Sequence, residues 1–65
     1  MILLTRLNDR PVVVNADLIK YVEQTPDTLV TLTSGDKLMV KETSEEVVRR
    51  VIEFGRAMRV YPRAM

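Results

Sequence analysis

The apolar residues of this chain change their spacing at Thr43, and that change limits the folds open to it. Before Thr43, apolar and polar residues alternate over short segments, which is the period of a half-buried β-strand. After Thr43, apolar residues recur every three or four positions, which is the period of an amphipathic α-helix. The pattern therefore predicts an α+β fold in which a small antiparallel sheet is followed by one C-terminal helix.

Five short alternating segments precede Thr43, and the residues between them are typical of tight turns. The predicted strands cover about residues 2–7, 12–14, 18–23, 28–33 and 37–41. Asn8-Asp9 and Ser34-Gly35 favour the positive φ of hairpin turns, whereas Thr25-Pro26-Asp27 separates the third strand from the fourth. Asn15 or Asp17 is expected to open a short helical turn before the third strand. The predicted arrangement is two hairpins plus a middle strand.

The helix is predicted to run from Ser44 to about Met58. Thr43 and Glu46 fit a capping box, in which the hydroxyl accepts from the Glu46 amide and the carboxylate reaches back to the cap amide. Gly55 weakens the helical pattern and is expected to mark a close approach or an early frayed end. The apolar helix residues form a stripe that is expected to pack on the sheet or on another copy: Val47, Val48, Val51, Ile52, Phe54 and Met58.

The composition excludes several kinds of site, because the chain has no His, no Cys and only two Gly. It lacks the side chains of a disulfide frame, a zinc-thiolate site or an imidazole base. No Gly-rich phosphate-binding motif is present. Five acidic residues could in principle form a general acid/base pair, but each has a structural role in a turn or at the helix start instead: Asp9, Asp17, Asp27, Glu45 and Glu46. The sequence therefore predicts no enzymatic activity, no cofactor and no metal.

The length of 65 residues allows one small domain, which is expected to bury about 60% of its unfolded surface. We expect this domain at residues 1–59 and a flexible tail at residues 60–65. Apolar runs such as Val12-Val13-Val14 are far shorter than the ~20 residues of a membrane span. The start also lacks a secretory leader, so a cytoplasmic location is expected. Apolar residues on both faces of the strands predict a homo-oligomer, most simply a symmetric dimer.

Positive charge is concentrated at the C-terminal end. Residues 1–48 carry five basic and eight acidic side chains, whereas residues 49–65 carry five Arg and one Glu. Because guanidinium groups bind carboxylates and phosphates, these arginines are the candidate partner-binding residues: Arg49, Arg50, Arg56, Arg59 and Arg63. The alternative is a solvated helix face, since Glu45 and Glu46 stand four residues before Arg49 and Arg50. With only three aromatic residues, the chain offers no stacking platform for nucleic acid, so a DNA or RNA partner is not expected.

Several ordered strings carry a resemblance to a known family. They are Ile2-Leu3-Leu4-Thr5-Arg6-Leu7-Asn8, Asn15-Ala16-Asp17-Leu18-Ile19, Glu23-Gln24-Thr25-Pro26-Asp27-Thr28, Thr31-Leu32-Thr33-Ser34-Gly35 and Val40-Lys41-Glu42. Together they resemble the FlbD family of flagellar proteins, which includes the swarming motility protein SwrD. The resemblance covers about residues 1–59, although this chain has Asn8-Asp9 and Ser34-Gly35 where the family often has Asn-Gly.

The resemblance implies a non-enzymatic accessory protein that is needed for full motor power and swarming. It also implies a cytoplasmic location, near the flagellar base, and contact with a stator or basal-body protein. The basic C-terminal end would dock on a charged cytoplasmic loop, or peripherally on an anionic membrane surface.

A second resemblance, to the carbon storage regulators, defines an alternative function. Met1-Ile2-Leu3-Leu4-Thr5-Arg6 and the helix start are similar to those short RNA-binding dimers. In this alternative, Leu4, Arg6 and the first arginines of the helix would face RNA. The Gly-Glu turn after the first strand of those proteins is absent, and the middle of the chain fits them poorly.

Overall fold

The computed structural model describes residues 1–58, with side chains as far as Arg56, as an α+β fold. In chain order, the elements are β1 (Ile2–Thr5), β2 (Pro11–Val14), a 3-10 helix (Ala16–Leu18), β3 (Ile19–Gln24), β4 (Thr28–Leu32), β5 (Lys37–Val40) and α1 (Ser44–Met58). All strand pairings are antiparallel: β1 pairs with β2, β3 with β4, and β4 with β5. The predicted class, strand number and C-terminal helix are confirmed. The strands divide between two small sheets, whereas the sequence predicted one.

The two sheets meet where the chain continues past the end of β1. Arg6 forms an isolated antiparallel bridge with Val40 in β5. The Lys41 N–H donates to the Thr5 carbonyl at 2.8 Å, and the Thr5 N–H donates to Glu42 Oε1 at 2.9 Å. The N-terminal strand therefore lies beside the segment that leads into the helix.

The predicted turn residues adopt the backbone conformations that their chemistry favours. Asp9 has a φ of 68°, and its N–H donates to the Arg6 carbonyl at 2.9 Å. Gly35 has a φ of 94°, a left-handed conformation that glycine adopts without a Cβ penalty. Asn15 opens the 3-10 helix, because its Oδ1 accepts from the Asp17 N–H at 3.0 Å. These three turns confirm the positions predicted from the sequence.

The core is small and aliphatic, and it draws on every strand pair and on the helix. Residues of β1 and β5 alternate between buried and exposed positions, as expected for strands with one covered face. The buried apolar residues are Ile2, Leu4, Val14, Ala16, Val30, Leu38, Val40 and Val47. Partly buried residues pack around them: Val12, Ile19, Val22, Leu32, Val51 and Phe54.

Helix α1 begins at Ser44, as predicted, and two side chains satisfy its first amides. Thr43 Oγ1 accepts from the Glu46 N–H at 3.1 Å. Gln24 Oε1, at the end of β3, accepts from the Ser44 N–H at 2.8 Å. Only one half of the predicted capping box therefore forms, because the Glu46 carboxylate binds arginines of the next turn instead.

The predicted apolar stripe of α1 divides into a covered part and an uncovered part. Val47 is fully buried, and Val51 and Phe54 are half-buried against the core. Val48 and Ile52 remain 46% and 49% exposed. The helix thus packs on the sheets through one side and presents a second apolar side outward.

Gly55 lies within α1, which continues through it to Met58. Apart from its chain neighbours and the backbone of α1, a Cβ built at Gly55 would meet no atom of the described residues within 4 Å, so the predicted close approach is absent from this part of the chain. The side chain of Met58, the predicted domain end at residue 59 and the predicted tail at residues 60–65 lie outside the described part of the chain.

Candidate functional site

Arg50 connects α1 to the first strand and to the segment before the helix. Its Nη1 donates to the Leu3 carbonyl at 2.6 Å and to Glu42 Oε2 at 3.3 Å, and its Nε donates to Glu46 Oε2 at 2.8 Å. The side chain of Arg50 is 34% exposed and that of Glu42 is 11% exposed. We call these groups, Arg50 with Glu42, Glu46 and the Leu3 carbonyl, the arginine clasp.

Glu42 is a charged residue held in a mostly covered position. Burial by itself would raise the pKa of its carboxyl, but the hydrogen bond from the Thr5 N–H and the charge of Arg50 outweigh burial. The net pKa of Glu42 lies below its ordinary value of 4.5. Glu42 is therefore ionised at neutral pH and gives Arg50 a fixed anionic partner.

Arg49 forms an exposed ion-pair network on the solvent side of α1. Its Nη1 donates to Glu53 Oε2 at 2.6 Å, and its Nε donates to Glu46 Oε1 at 3.0 Å. Hydrogen bonds from Arg49 and then from Arg50 lower the pKa of Glu46 to about 2, and the two carboxylates raise the pKa of Arg49. The predicted pair of Glu46 and Arg50 is confirmed, whereas Arg49 pairs with Glu46 and Glu53 rather than with Glu45.

The five candidate arginines differ in what surrounds them. Arg49 and Arg50 are held by carboxylates of their own chain. Arg56 is exposed and makes no ion pair with any residue from 1 to 58. Arg59 and Arg63 lie outside the described residues. Partner binding by these arginines stays a prediction.

A shallow groove of about 540 Å³ follows the outer side of α1. Val22 of β3 lies beside Val48 and Ile52 in its apolar floor, and we call Val48 and Ile52 the outer ridge. The polar rim consists of Ser44, Glu45, Arg49, Glu53 and Arg56. The structure therefore separates the outer ridge from the core residues with which the sequence had grouped it.

A second apolar surface lies on the outward side of the first hairpin. Leu3 in β1 is directly opposite Val13 in β2, and these side chains are 56% and 62% exposed. We call Leu3 and Val13 the hairpin face. Because Val14 is buried while its neighbour Val13 points outward, the predicted apolar character of both strand faces is confirmed here.

Two contributors to these surfaces, Glu42 and Val22, were not among the predicted site residues. Glu42 binds Arg50 eight positions later and the Thr5 N–H 37 positions earlier, so no helical spacing rule identifies it. Val22 could have been identified from the alternation of β3, because it is the apolar residue between Tyr21 and Glu23, which are both exposed. Its register partner Val30 is fully buried, which places Val22 on the covered face.

The RNA-binding alternative required Leu4 and Arg6 to face a ligand. Leu4 is fully buried in the core, so its side chain does not face a ligand in this fold. Arg6 bridges to β5 through its backbone. The structure therefore contradicts the role that this alternative assigned to Leu4.

Residues 1–58 contain neither a cluster of metal-binding side chains nor a helix that could cross a membrane. Within residues 1–58, no three His, Cys, Asp or Glu side chains are grouped closely enough to hold a metal ion. No helix in the same part of the chain has the length and apolar character needed to cross a membrane.

The chain matches a known protein family over nearly its whole length. The family model described as FlbD, flagellar and swarming motility proteins, matches residues 1–58, which include all five strands and the whole of α1. No curated protein and no solved structure matches the chain. The chain therefore belongs to the FlbD family of flagellar and swarming motility proteins.

Proposed function

We propose that this chain is a non-enzymatic accessory protein of the bacterial flagellum. It acts in the cytoplasm at the flagellar base, where it supports motor power and swarming by binding a stator or basal-body protein. The match of residues 1–58 to a family of flagellar and swarming motility proteins carries this proposal.

The surface of the domain supports a role in protein contact. The hairpin face exposes more than half of both Leu3 and Val13, and exposed apolar patches of this kind mark interaction sites on small domains. We assign the apolar part of the partner contact to this face. The charged part is assigned to the basic end of the chain, because Arg56, Arg59 and Arg63 suit an acidic loop of a partner.

Photocrosslinking in swarming cells tests the proposed contact directly. A photoreactive residue at Val13 is expected to capture a stator or basal-body protein, because Val13 is an exposed member of the hairpin face. The same residue at Asp27, an exposed turn position, serves as the control. Capture of the same protein from both positions, or capture of no flagellar protein from Val13, would contradict the assignment of the contact to this face.

Genetic variants test the function and the basic end. Loss of the gene is expected to reduce swarming and motor torque while the number of flagella stays the same. The pair Arg59→Ala and Arg63→Ala is expected to reduce swarming without unfolding the domain. Unchanged swarming after loss of the gene would refute the proposed function. Unchanged swarming with the arginine pair would refute only the role of the basic end, and a change confined to membrane co-fractionation would indicate a lipid contact instead.

A further inference from the structure

The outer ridge is an apolar surface that the described residues leave about half exposed. Val48 and Ile52 lie one helical turn apart on the outer side of α1, and both are about half exposed. Val22 extends the same surface onto β3. A helix side of this kind is typical of a packing interface with another element.

The charges along the rim of the groove have a self-complementary order. From the start of α1 towards its end, the rim carries Glu45, Arg49, Glu53 and Arg56, so the signs alternate. When the order is reversed, each acidic position falls opposite a basic one. A second α1 running antiparallel would therefore place Glu45 opposite Arg56 and Arg49 opposite Glu53.

We propose that a second copy of this chain docks on the outer ridge, with the two α1 helices packed antiparallel around a two-fold axis. A two-fold interface requires that one patch be complementary to itself. The midpoint between Val48 and Ile52 is residue position 50, and the midpoint between Glu45 and Arg56 lies half a residue later. At about 1.5 Å per residue these midpoints differ by less than about 1 Å along the helix. One axis therefore serves both the apolar contact and the two pairs between Glu45 and Arg56 of the two copies.

The charge order also selects the antiparallel arrangement. Two parallel helices in register would bring Glu45 onto Glu45 and Arg56 onto Arg56 of the two copies, which is repulsive. Within residues 1–58, neither Glu45 nor Arg56 makes an ion pair, so both are available to a second copy. This pattern favours a second copy over an unrelated partner, because an unrelated partner would not require the charges to be balanced about the centre of the ridge.

The dimer goes beyond the proposed motility function and does not depend on it. The hairpin face consists of Leu3 in β1 and Val13 in β2, neither of which lines the groove, so the proposed dimer does not require that face. A dimer would carry two such faces. Loss of the dimer and loss of the flagellar contact can therefore be measured separately.

A matched pair of valine substitutions tests the position of the interface. The mass of the whole chain is measured by sedimentation from micromolar to millimolar concentration, and the wild type is expected to change from monomer to dimer. Val48→Glu is expected to remain monomeric, because it places a carboxylate in the ridge. Val13→Glu makes the same substitution at the more exposed hairpin position and is expected to dimerise as the wild type does.

Charge reversal tests the antiparallel register. In a homodimer of Glu45→Arg, or of Arg56→Glu, positions 45 and 56 of the two copies carry the same charge at both of their contacts. Each variant is therefore expected to weaken dimerisation about tenfold. A mixture of the two variants restores both opposite-charge contacts in the heterodimer, so it is expected to associate about tenfold more tightly than either variant alone. Circular dichroism of each variant verifies that α1 is formed.

The outcomes separate the proposal from its alternatives. A wild-type chain that stays monomeric up to millimolar concentration overturns the dimer. Equal loss of dimer in Val48→Glu and Val13→Glu overturns the choice of the outer ridge. A mixture that associates no better than its components overturns the antiparallel register. If the charge variants fail to fold, the two valine variants still decide whether the ridge is the interface.

Discussion

Replacement of Arg50 by alanine tests whether the arginine clasp holds α1 against the first strand. Arg49 and Arg50 each make three hydrogen bonds within residues 1–58, so a count of contacts predicts equal losses of stability. Their surroundings differ. The Arg49 side chain is 54% exposed, whereas Arg50 reaches Glu42, whose side chain is 11% exposed. If burial sets the energy, the loss with Arg50→Ala is the larger one.

The burial of the clasp sets the expected magnitude. Exposed ion pairs contribute about 0.2–1 kcal/mol, whereas breaking a fully buried pair costs about 3–5 kcal/mol. Arg50 lies between these limits, because it is one-third exposed while Glu42 is almost covered. In the variant, Glu42 keeps the N–H of Thr5, and the exposed Leu3 carbonyl binds water. We therefore expect Arg50→Ala to lower the free energy of unfolding by about 2 kcal/mol, and Arg49→Ala to lower it by a clearly smaller amount.

Urea unfolding followed by the circular dichroism of α1 measures these losses at one fixed protein concentration. For Arg50→Ala the midpoint is expected to fall with an unchanged m-value, and the melting temperature to fall by about 10 °C for a domain of this size. Arg50→Lys is expected to be intermediate, because an ammonium keeps the charge but lacks the planar fork. Equal losses for Arg49→Ala and Arg50→Ala would refute the argument from burial.

Three further variants test the helix cap, the helix interior and the exposed ion pairs. Thr43→Ala removes the acceptor for the Glu46 N–H and is expected to lower the free energy of unfolding by about 1 kcal/mol in a urea titration. Gly55→Ala is expected to raise it by about 0.5–1 kcal/mol in the same titration, because alanine favours a helix more than glycine does and the added Cβ clashes with none of the described residues. The pKa of Glu46 falls from 4.5 to about 2 in the folded chain, so its ion pairs stabilise the fold above about pH 4.5 and are lost as the pH falls towards about 2. The melting temperatures of the wild type and Glu46→Gln are therefore expected to converge over that interval.

Local chemistry made the turns and the helix predictable from the sequence. The positive φ of Asp9 and Gly35 and the cap of α1 by Thr43 depend on residues within a few positions of one another. A helical period also identified the six-residue stripe. It did not divide the stripe, because Val48 and Ile52 each lie one position, or about 100°, from the core residues Val47 and Val51. Which side of a wide stripe is covered depends on where the sheets stop.

The arginine clasp could not be predicted from local spacing. The Leu3 carbonyl lies 47 positions from Arg50, and they meet only because β1 pairs beside the segment after β5. Helical spacing also paired Arg49 with Glu45, whereas in the structure Arg49 pairs with Glu46 and Glu53. Because Arg49 pairs with those two carboxylates, Glu45 lies at the rim of the groove without an ion pair among residues 1–58.

One side of α1 packs inside the chain and the other forms the proposed dimer interface, and two variants separate their contributions to stability. A chain of 65 residues has a limited core, so added stability from association matters to it. Because a second copy would bind only the folded state, the stability that dimerisation adds grows with protein concentration. Arg50→Ala weakens the attachment of α1 inside each chain and is expected to lower the melting temperature at every concentration. Val48 is half exposed in the single chain, so Val48→Glu is expected to leave the melting temperature at low concentration nearly unchanged and to abolish its rise with concentration. If Val48→Glu lowered the melting temperature equally at all concentrations, the outer ridge would belong to the stability of the single chain and not to an interface between copies.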